Sequence, residues 1–274
     1  MIKQSWSAAR LFLHILAGIL LLVLTGSLWN NKTRLVKRTK QWWLARTTQL
    51  LGIEVQVKGQ VPQPAPEKGI LYVSNHVSWI DIPLIGGLSQ LNFLSKAEVR
   101  GWPLIGKLAE GTGTLFIQRG SGDAERVSKS IADYLDEGRS VLFFPEGTTS
   151  DGSQVRRFFP KLFKAARHTQ IDLCPLAIHY YLDSEKRNPV PFIDDDEFTS
   201  HLWNLLRHQK IKATVEFLPV RPVDIAELDS FVKGLQKEVA LAVSNHHAQY
   251  RPNTSILSPG ASTPCDLNDE AASF

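Results

Sequence analysis

The feature that most constrains this chain is an uncharged apolar run near its N-terminus. Residues 11–29 contain no charged side chain, and Leu is their commonest residue. A helix needs about 20 such residues to cross the hydrocarbon core of a bilayer. The run is longer than the apolar region of a cleaved signal peptide, and no small-residue cleavage site follows it. It therefore predicts a membrane helix over residues 11–29.

The positive charge of the chain is concentrated beside this run. Residues 1–50 hold eight Lys or Arg and no Asp or Glu, so this segment carries a charge of +8. The net charge of the whole chain is +4, so the remaining residues together carry −4. Six of these cations follow the run, and the positive-inside rule then directs the rest of the chain to the cytoplasm. Apolar residues are interspersed with the cations, so residues 33–51 are predicted to form a basic interfacial helix. A full span and a partial insertion both fit, and such local basicity argues against nucleic-acid binding.

Residues 53–250 carry the pattern of one α/β domain. Short apolar runs end where polar residues begin, and helical patterns lie between them. The strand candidates are residues 53–57, 69–74, 91–94, 114–117, 140–144, 172–180 and 212–218. Strands that alternate with helices predict a mixed, largely parallel sheet flanked by helices.

Acidic residues mark two predicted helix starts in this domain. Asp123 is a candidate N-cap, and Asp224 with Glu227 forms a D-x-x-E capping signal before a long C-terminal helix. The last residues are rich in Ser, Thr, Pro and Asp, which predicts disorder. The predicted organisation is a membrane anchor, an α/β domain and a disordered tail, at residues 1–52, 53–250 and 251–274.

A polar cluster, SNHVSWID at residues 74–81, directly follows an apolar run. Functional groups in α/β folds gather at the carboxyl ends of strands. His76 can accept a proton near neutral pH, and the Asp81 carboxylate on its second ring nitrogen would fix its tautomer. Five residues of helix turn by about 500°, so the two meet only if His76 lies in the turn before the helix. The alternative is structural: Ser78 and Asp81 form a capping box, and His76 is a loop residue.

Three further clusters follow apolar runs, with the sequences FFPEGTTS, GTLFIQRG and LCPLAI at residues 143–150, 113–120 and 173–178. Turn chemistry explains the Pro and Gly of the first cluster but not Glu146. The second delivers Arg119, for which a solvated side chain at a strand end is the alternative. The third indicates a core strand with Cys174 as a small buried side chain. Two cysteines are too few for a thiolate zinc site, and no metal is predicted.

In this order and spacing, the four clusters resemble the four sequence blocks of the glycerolipid acyltransferase family, which includes the 1-acylglycerol-3-phosphate acyltransferases. The resemblance covers roughly residues 71–181. It implies that His76 is the general base and that Asp81 orients it. It also implies acyl transfer from acyl-CoA or acyl carrier protein to the free hydroxyl of a lysolipid, at the bacterial inner membrane, without a cofactor.

The same resemblance implies roles for other residues of the four blocks. Glu146, Gly147 and Arg119 are expected near the acyl acceptor, and Lys96 near its phosphate. The remaining motif positions are Thr148 and Thr149 as substrate-binding residues, and Asn75, Phe116, Pro145 and Pro175 as structural ones.

Two positions depart from the commonest family pattern. Thr149 stands where an Arg is usual, and Gln118 stands where the second block often has Asp. An Arg is a bidentate phosphate ligand and a Thr is not, although Arg156 or Arg157 could compensate. The expected acceptor is 1-acylglycerol-3-phosphate, with lyso-ornithine lipid or another lysophospholipid as the alternative. The sequence contains no G-x-S-x-G motif of a serine hydrolase, and a non-catalytic lipid-binding protein is the alternative of another class.

Overall fold

The computed structural model describes residues 2–63, 65, 67–118, 123–182, 188–193, 196–208 and 210–250. The predicted tail and Arg119 lie outside these residues. Eight strands of the described chain form one sheet: β1 Ile53–Gly59, β2 Ile70–Ser74, β3 Leu91–Lys96, β4 Leu115–Ile117, β5 Ser140–Phe143, β6 Asp172–Tyr181, β7 Ile211–Phe217 and β8 Arg221–Pro222.

The sheet is mixed and mostly parallel, as the sequence predicts. Its order is β1-β7-β6-β2-β5-β3-β4, with β8 paired to β6. Only β6 makes antiparallel pairs among the described strands, with β7 and with β8. The two-residue β8 is too short to carry a periodic signal, and the sequence does not predict it.

Helices cover both faces of the sheet. The described helices are α1 Ile2–Leu24, α2 Arg34–Leu50, α3 Asp81–Leu88, α4 Ile105–Gly111, α5 Ala124–Asp136, α6 Phe198–Leu205 and α7 Leu228–Tyr250. Alternate residues of β2 point to opposite faces, so Tyr72 joins the core beneath α2 and α3, whereas Leu71 and Val73 join the core beneath α5 and α7. The central strand β2 is therefore buried on both sides, and it forms a firm base for the turn at its carboxyl end.

Helix α1 differs in its bounds from the predicted helix at residues 11–29. It begins at Ile2 and ends at Leu24, and residues 25–29 form turns. Gly26 has a φ of +66°, a left-handed conformation that ends a helix at little cost for glycine. The apolar run therefore includes the turn that leads into α2 as well as most of α1.

Helices α1 and α2 form a hairpin that packs on the domain. The rings of His14 and Trp43 stack with centroids 4.8 Å apart, and the Trp43 indole N–H donates to the carbonyl of His14 at 3.0 Å. Gly18 permits this approach, since a Cβ there would lie 2.8 Å from the Trp43 ring. Thr33 caps α2 by accepting from the Val36 N–H, and the helix fits the predicted 33–51 closely.

The hairpin is joined to the domain at both ends of α1. Gln4 donates its side-chain amide to the carbonyl of Trp203 at 2.6 Å, and Ser27 donates its hydroxyl to the carbonyl of Gly111 at 2.7 Å. Leu44 of α2 is part of the same core cluster as β2. Residues 1–52, expected as a separate anchor, therefore share a core with the sheet.

The two capping signals have different outcomes. Asp123 is the N-cap residue of α5, as predicted, but its side chain makes no capping hydrogen bond; the carboxylate pairs with Arg126 at 3.1 Å instead. Asp224 accepts from the backbone N–H groups of Ala226 and Glu227, which closes a turn just before α7 begins.

Candidate active site

The turn that carries His76, residues 75–80, joins the carboxyl end of β2 to the start of α3. Asn75 fixes its first residue: the buried side chain donates to the carbonyl of Ile178 at 2.9 Å and accepts from the Ile178 N–H at 2.8 Å. This pair of bonds resembles a step of the ladder between β2 and β6, which ends at Ser74 and Leu176. The amide side chain thus extends the sheet by one residue and aims the chain at the next.

His76 and Asp81 form a close pair. Nδ1 of His76 lies 2.7 Å from Oδ2 of Asp81, whose side chain is fully buried, while the His76 side chain is 18% exposed. The same carboxylate oxygen accepts from the backbone N–H groups of Val77 at 2.8 Å and Ser78 at 3.1 Å. His76 lies in the turn and Asp81 is the first residue of α3, as the spacing predicts.

The capping-box alternative explains only part of this geometry. Asp81 does accept from the Ser78 N–H, but the buried hydroxyl of Ser78 has no hydrogen-bond partner among the described residues. Helix α3 begins at Asp81 itself and has no side-chain cap. The carboxylate therefore serves the histidine as well as the turn.

Tyr180, which the sequence does not single out, holds the other oxygen of Asp81. Tyr180 lies near the end of β6, and its hydroxyl donates a hydrogen bond to Oδ1 of Asp81 at 2.7 Å. Burial, and then the negative charge of Asp81, raise the pKa of Tyr180 well above its usual value, so the hydroxyl stays protonated and remains a donor. Nothing in the local sequence marks this tyrosine, because its partner lies 99 residues earlier in the chain.

Glu146 joins the His76 turn to the loop after β5, residues 144–150, which we call the Glu146 loop. Its Oε1 accepts from the His76 N–H at 2.9 Å, and its Oε2 accepts from the Arg156 N–H at 3.0 Å. The residue is only 3% exposed, and burial raises the pKa of its carboxyl to about 7. The structure gives Glu146 a positioning function, and its expected contact with the acceptor stays a prediction.

The Glu146 loop also sets the environment of the imidazole. The ring of Phe144 stacks on that of His76 with centroids 3.7 Å apart and an interplanar angle of 7°. Gly147 has a φ of +72°, a conformation that favours glycine. The Ser150 N–H donates to the carbonyl of His76 at 2.8 Å, so the loop and the turn are locked together.

Thr149, at the position where the family pattern commonly has Arg, uses its hydroxyl for a hydrogen bond within the protein. Its hydroxyl donates to the carbonyl of Phe192, and the Phe192 N–H donates to the carbonyl of Val77 at 3.0 Å. Three segments distant in sequence therefore meet around His76. The hydroxyl of Thr149 supports this meeting point and is not a charged ligand.

The sequence of the chain matches the acyltransferase family over residues 52–179. A lyso-ornithine lipid O-acyltransferase from Pseudomonas aeruginosa is 45% identical over 214 residues, which cover 77% of this chain and 80% of that protein. The chain belongs to the acyltransferase family. The resemblance deduced from the four motifs is thereby confirmed.

Two further comparisons extend this result. A 1-acyl-sn-glycerol-3-phosphate acyltransferase from Neisseria gonorrhoeae is 34% identical over 171 residues, which cover 61% of this acyltransferase and 66% of that protein. The fold is similar to the crystal structure of a 1-acyl-sn-glycerophosphate (LPA) acyltransferase from Thermotoga maritima. The TM-score is 0.62 at 19% identity, and the match covers 90% of this chain and all of the other, 100%.

An apolar cavity of about 600 Å³ adjoins His76 in this acyltransferase. Its walls come from the α1–α2 hairpin, from β3, from α4 and from the Glu146 loop. Residues of the expected site that line it are His76, Lys96, Pro145, Gly147, Thr148 and Thr149. The cavity links the histidine to the N-terminal hairpin, a connection that the sequence does not reveal.

The other expected site residues lie around this cavity or outside the described chain. Lys96 is exposed at the carboxyl end of β3, where Ser95 pairs with Phe116 of β4. Pro175 lies within β6 opposite Val73 of β2. Arg119 falls outside the described residues. Within the described ranges, no group of three or more His, Cys, Asp or Glu side chains could hold a metal ion.

Proposed function

We propose that this acyltransferase moves a fatty acyl group from a thioester donor to the free hydroxyl of a lysolipid. The observation that carries the proposal is a histidine, backed by a buried carboxylate, beside an apolar cavity large enough for an alkyl chain. The names of the Pseudomonas and Neisseria relatives, which both act on lysolipids, support it.

The reaction uses His76 as a general base. The N–H group at Nδ1 donates a hydrogen bond to the Asp81 carboxylate. In the neutral ring, Nε2 is therefore unprotonated and can accept a proton. Nε2 takes the proton of the lysolipid hydroxyl while that oxygen attacks the thioester carbonyl. When the tetrahedral intermediate collapses, the C–S bond breaks and the imidazolium returns its proton to the departing thiolate. The new ester and the free thiol of the donor are the products.

The negative oxygen of the intermediate needs hydrogen-bond donors. The backbone N–H groups of residues 76–78 already donate to carboxylates. The N–H groups of Thr148 and Thr149 have no intramolecular acceptor among the described residues, and both residues line the cavity. These two N–H groups of the Glu146 loop are the proposed oxyanion donors.

Lyso-ornithine lipid is the first acceptor that we propose. The relative that carries this name is 45% identical, against 34% for the relative named for 1-acylglycerol-3-phosphate. The Thr149 hydroxyl is also bonded to a carbonyl, so it supplies no charge for a phosphate. The second candidate, 1-acylglycerol-3-phosphate, is favoured by Lys96, a cation that lines the cavity.

The N-terminal hairpin is proposed to hold the protein at the membrane. Helix α1 has one segment, Lys3–Leu24, that is long and apolar enough to cross a bilayer. The outward face of α1 exposes large apolar side chains. Both ends of the helix, however, form hydrogen bonds to the domain. A helix joined to the domain at both ends fits partial insertion from one side better than a full span. The cations beyond α1 favour the cytoplasmic side.

An acyl-transfer assay tests the proposed reaction. Purified full-length protein in mixed micelles receives radiolabelled palmitoyl-CoA or palmitoyl-acyl carrier protein, with lyso-ornithine lipid or 1-acylglycerol-3-phosphate as acceptor. We expect a labelled diacyl product, formed fastest from lyso-ornithine lipid. Free fatty acid alone indicates a hydrolase, and no turnover with any acceptor supports a lipid-binding protein.

Membrane extraction tests the proposed attachment. Partial insertion through the apolar face of α1 predicts that detergent releases the protein from membranes and that high salt does not, since salt screens surface charges over about 8–10 Å. A matched variant exchanges Phe12, Leu16 and Leu20 of the exposed face for Ser. High salt should release this variant from membranes, and the variant should retain its activity on soluble substrates. Release of the wild-type protein by salt alone contradicts insertion.

A further inference from the structure

A segment without acidic residues follows the Glu146 loop. Residues 152–171 contain five Lys or Arg and no Asp or Glu, and the cations are Arg156, Arg157, Lys161, Lys164 and Arg167. Four of the five side chains are exposed, and that of Lys164 is partly buried. Among the residues that the structure describes, none forms an ion pair with these five side chains. The mechanism proposed above does not use their charges, which are therefore open to a partner.

Three of these cations belong to a 3₁₀ helix, Pro160–Arg167. A 3₁₀ helix has three residues per turn and rises about 2 Å per residue, so side chains three positions apart lie above one another. Lys161, Lys164 and Arg167 therefore lie along one edge of the helix, at steps of about 6 Å. Phe163, in the neighbouring row, is fully buried. We call the three cations the cationic row.

The cationic row begins at the cavity beside His76. Lys161 lines this cavity together with Phe159, whose side chain is 51% exposed, so the cavity reaches the surface here. The Phe159 N–H donates to the carbonyl of Pro145 at 2.9 Å, which attaches this end of the row to the Glu146 loop. From Lys161 the row leads over about 12 Å to Arg167. A partner on the row therefore lies next to an entrance of the cavity.

The cationic row and the N-terminal hairpin belong to opposite faces of the sheet. Phe163 of the 3₁₀ helix is part of the core beneath α5 and α7, and the Ser128 hydroxyl of α5 donates to the carbonyl of Lys161 at 3.3 Å. Leu11 of α1 and Leu44 of α2 are part of the core on the other face. A membrane that receives the apolar face of α1 is therefore on the far side of the sheet. This arrangement favours a partner from the aqueous phase over a lipid surface.

Neighbouring carboxylates do not neutralise the row. Near its far end, Glu125 of α5 lies 3.3 Å from the ring of His168, and Asp136 accepts from the Thr169 hydroxyl at 2.6 Å. Both carboxylates are thus engaged by other groups. Exposed charges attract an acidic partner over about one Debye length, about 8 Å at physiological salt. A partner held by the row should therefore bind more weakly as salt is added.

We propose that the cationic row is a docking surface for an acidic helix of the acyl carrier protein that delivers the acyl thioester. The inference rests on the proposed function, since it supposes that the acyl group arrives as a thioester. Acyl carrier proteins are small, acidic and helical, so their charge is complementary to that of the row. A carrier docked on the row directs its thioester arm past Phe159 toward His76.

The spacing of the row also favours a helix over a small-molecule donor. Carboxylates three or four positions apart on one face of an α-helix are about 5–6 Å apart, close to the steps of about 6 Å in the row. Coenzyme A carries its phosphates in two groups on one nucleotide, which do not match three evenly spaced cations over about 12 Å. Both donors place the same kind of arm in the cavity, so the row distinguishes them by what stays outside.

Donor kinetics test the inference. The full-length wild type, Arg167→Glu, the double variant Lys164→Glu with Arg167→Glu, and the control Arg207→Glu receive palmitoyl-acyl carrier protein or palmitoyl-CoA in mixed micelles with one acceptor. Arg207 is an exposed cation just after α6, whose Leu205 packs in the core on the other face. An exposed ion pair contributes a factor of about 1.5–5 in affinity, and a reversed charge also adds a repulsion. KM for palmitoyl-acyl carrier protein should therefore rise about fivefold in Arg167→Glu and at least about tenfold in the double variant, with kcat little changed.

The second donor separates a docking role from a loss of structure. KM and kcat for palmitoyl-CoA should stay at the wild-type values in all variants, and Arg207→Glu should keep the wild-type KM for both donors. An equal rise of KM for palmitoyl-CoA assigns the row to the phosphates of coenzyme A and overturns the inference. A wild-type KM for palmitoyl-acyl carrier protein in the folded double variant also overturns it. If the reversed charges impair folding, Lys164→Gln with Arg167→Gln repeats the test, with an expected rise of about threefold.

A binding measurement separates this inference from the proposed reaction and from membrane attachment. If the wild type transfers no acyl group, the reaction is refuted, and the fluorescence anisotropy of labelled holo-acyl carrier protein still reports docking. Binding that weakens with added salt and is about fivefold weaker in Arg167→Glu, but unchanged in Arg207→Glu, supports the docking surface. Equal binding of the carrier by all three proteins overturns it. So does a loss that is confined to binding of phosphatidylglycerol vesicles, which assigns the row to the membrane.

Discussion

Replacing Glu146 by Gln removes a buried charge while it keeps the shape of the side chain. Both carboxylate oxygens accept backbone hydrogen bonds in the wild-type protein, from His76 and Arg156. Despite these bonds, burial raises the pKa of Glu146 from 4.5 to about 7. A Gln side chain resembles the protonated carboxyl, since each has one acceptor oxygen and one group that donates.

The direction of the pKa shift fixes how stability depends on pH. Glu146 binds its proton more tightly in the folded protein than in the unfolded chain, so the folded state is favoured at low pH. This contribution is fully present below pH 4.5 and is lost as the pH rises through about 7. The shift from 4.5 to about 7 corresponds to about 3 kcal/mol. The Glu146→Gln variant has no such dependence.

Thermal unfolding in detergent from pH 5 to pH 8 measures this difference. About 2.5 kcal/mol of this contribution is lost between pH 5 and pH 8, and each kcal/mol moves the Tm of a chain of this size by about 2–4 °C. Glu146→Gln should therefore gain about 5–10 °C relative to the wild type across this range. Glu54→Gln, which changes an exposed glutamate on β1, is the matched control and should run parallel to the wild type. Parallel curves for Glu146→Gln as well would refute the reasoning.

Three further substitutions test the catalytic geometry. His76→Ala should lower kcat by about 10²–10⁴ without unfolding the protein, since the residue lies in a turn; near-normal turnover in folded protein refutes the general-base role. Tyr180→Phe removes one charge-assisted hydrogen bond of about 1.5–3 kcal/mol from Asp81, so a tenfold or larger loss of kcat is expected with KM little changed. Thr149→Arg breaks the bond to Phe192 and adds a cation. It should raise kcat/KM for 1-acylglycerol-3-phosphate up to about tenfold and lower kcat/KM for lyso-ornithine lipid. Equal effects on both acceptors contradict a role of position 149 in headgroup binding.

Strand positions and the His76–Asp81 pair are predictable because both depend on residues close in sequence. The seven strand candidates fall on β1 to β7. Buried strands such as β2 and β5 are short apolar runs bounded by polar residues, whereas the mostly exposed β1 is marked by alternating apolar residues. The five-residue spacing of His76 and Asp81 requires a turn followed by a helix, and the structure has that arrangement. Local rules suffice where the interacting groups are neighbours in the chain.

The remaining parts of the site depend on contacts between distant segments. Tyr180 reaches Asp81 because β6 lies next to β2, a neighbour relation that periodicity does not specify. The apolar run at the N-terminus indicates a membrane helix, and the same residues also line the cavity beside His76. An apolar side chain satisfies a lipid or a protein core equally well, so composition alone does not distinguish the two. The hydrogen bonding of the Asp123 carboxylate is a similar case, since the sequence does not show that it pairs with Arg126 instead of capping α5.

The pairing of β1 with β7 and of β2 with β6 has a consequence for biosynthesis. Chains grow from the N-terminus, so α1 and α2 leave the ribosome well before the residues that complete the site. Glu146, Ile178, Tyr180 and Phe192 all come later than His76, and each bonds to the turn or to its carboxylate. Under the proposed attachment and reaction, a nascent chain reaches the lipid surface before its site can transfer an acyl group. The hydrogen bonds that hold the His76 turn are complete only after Phe192 has been translated.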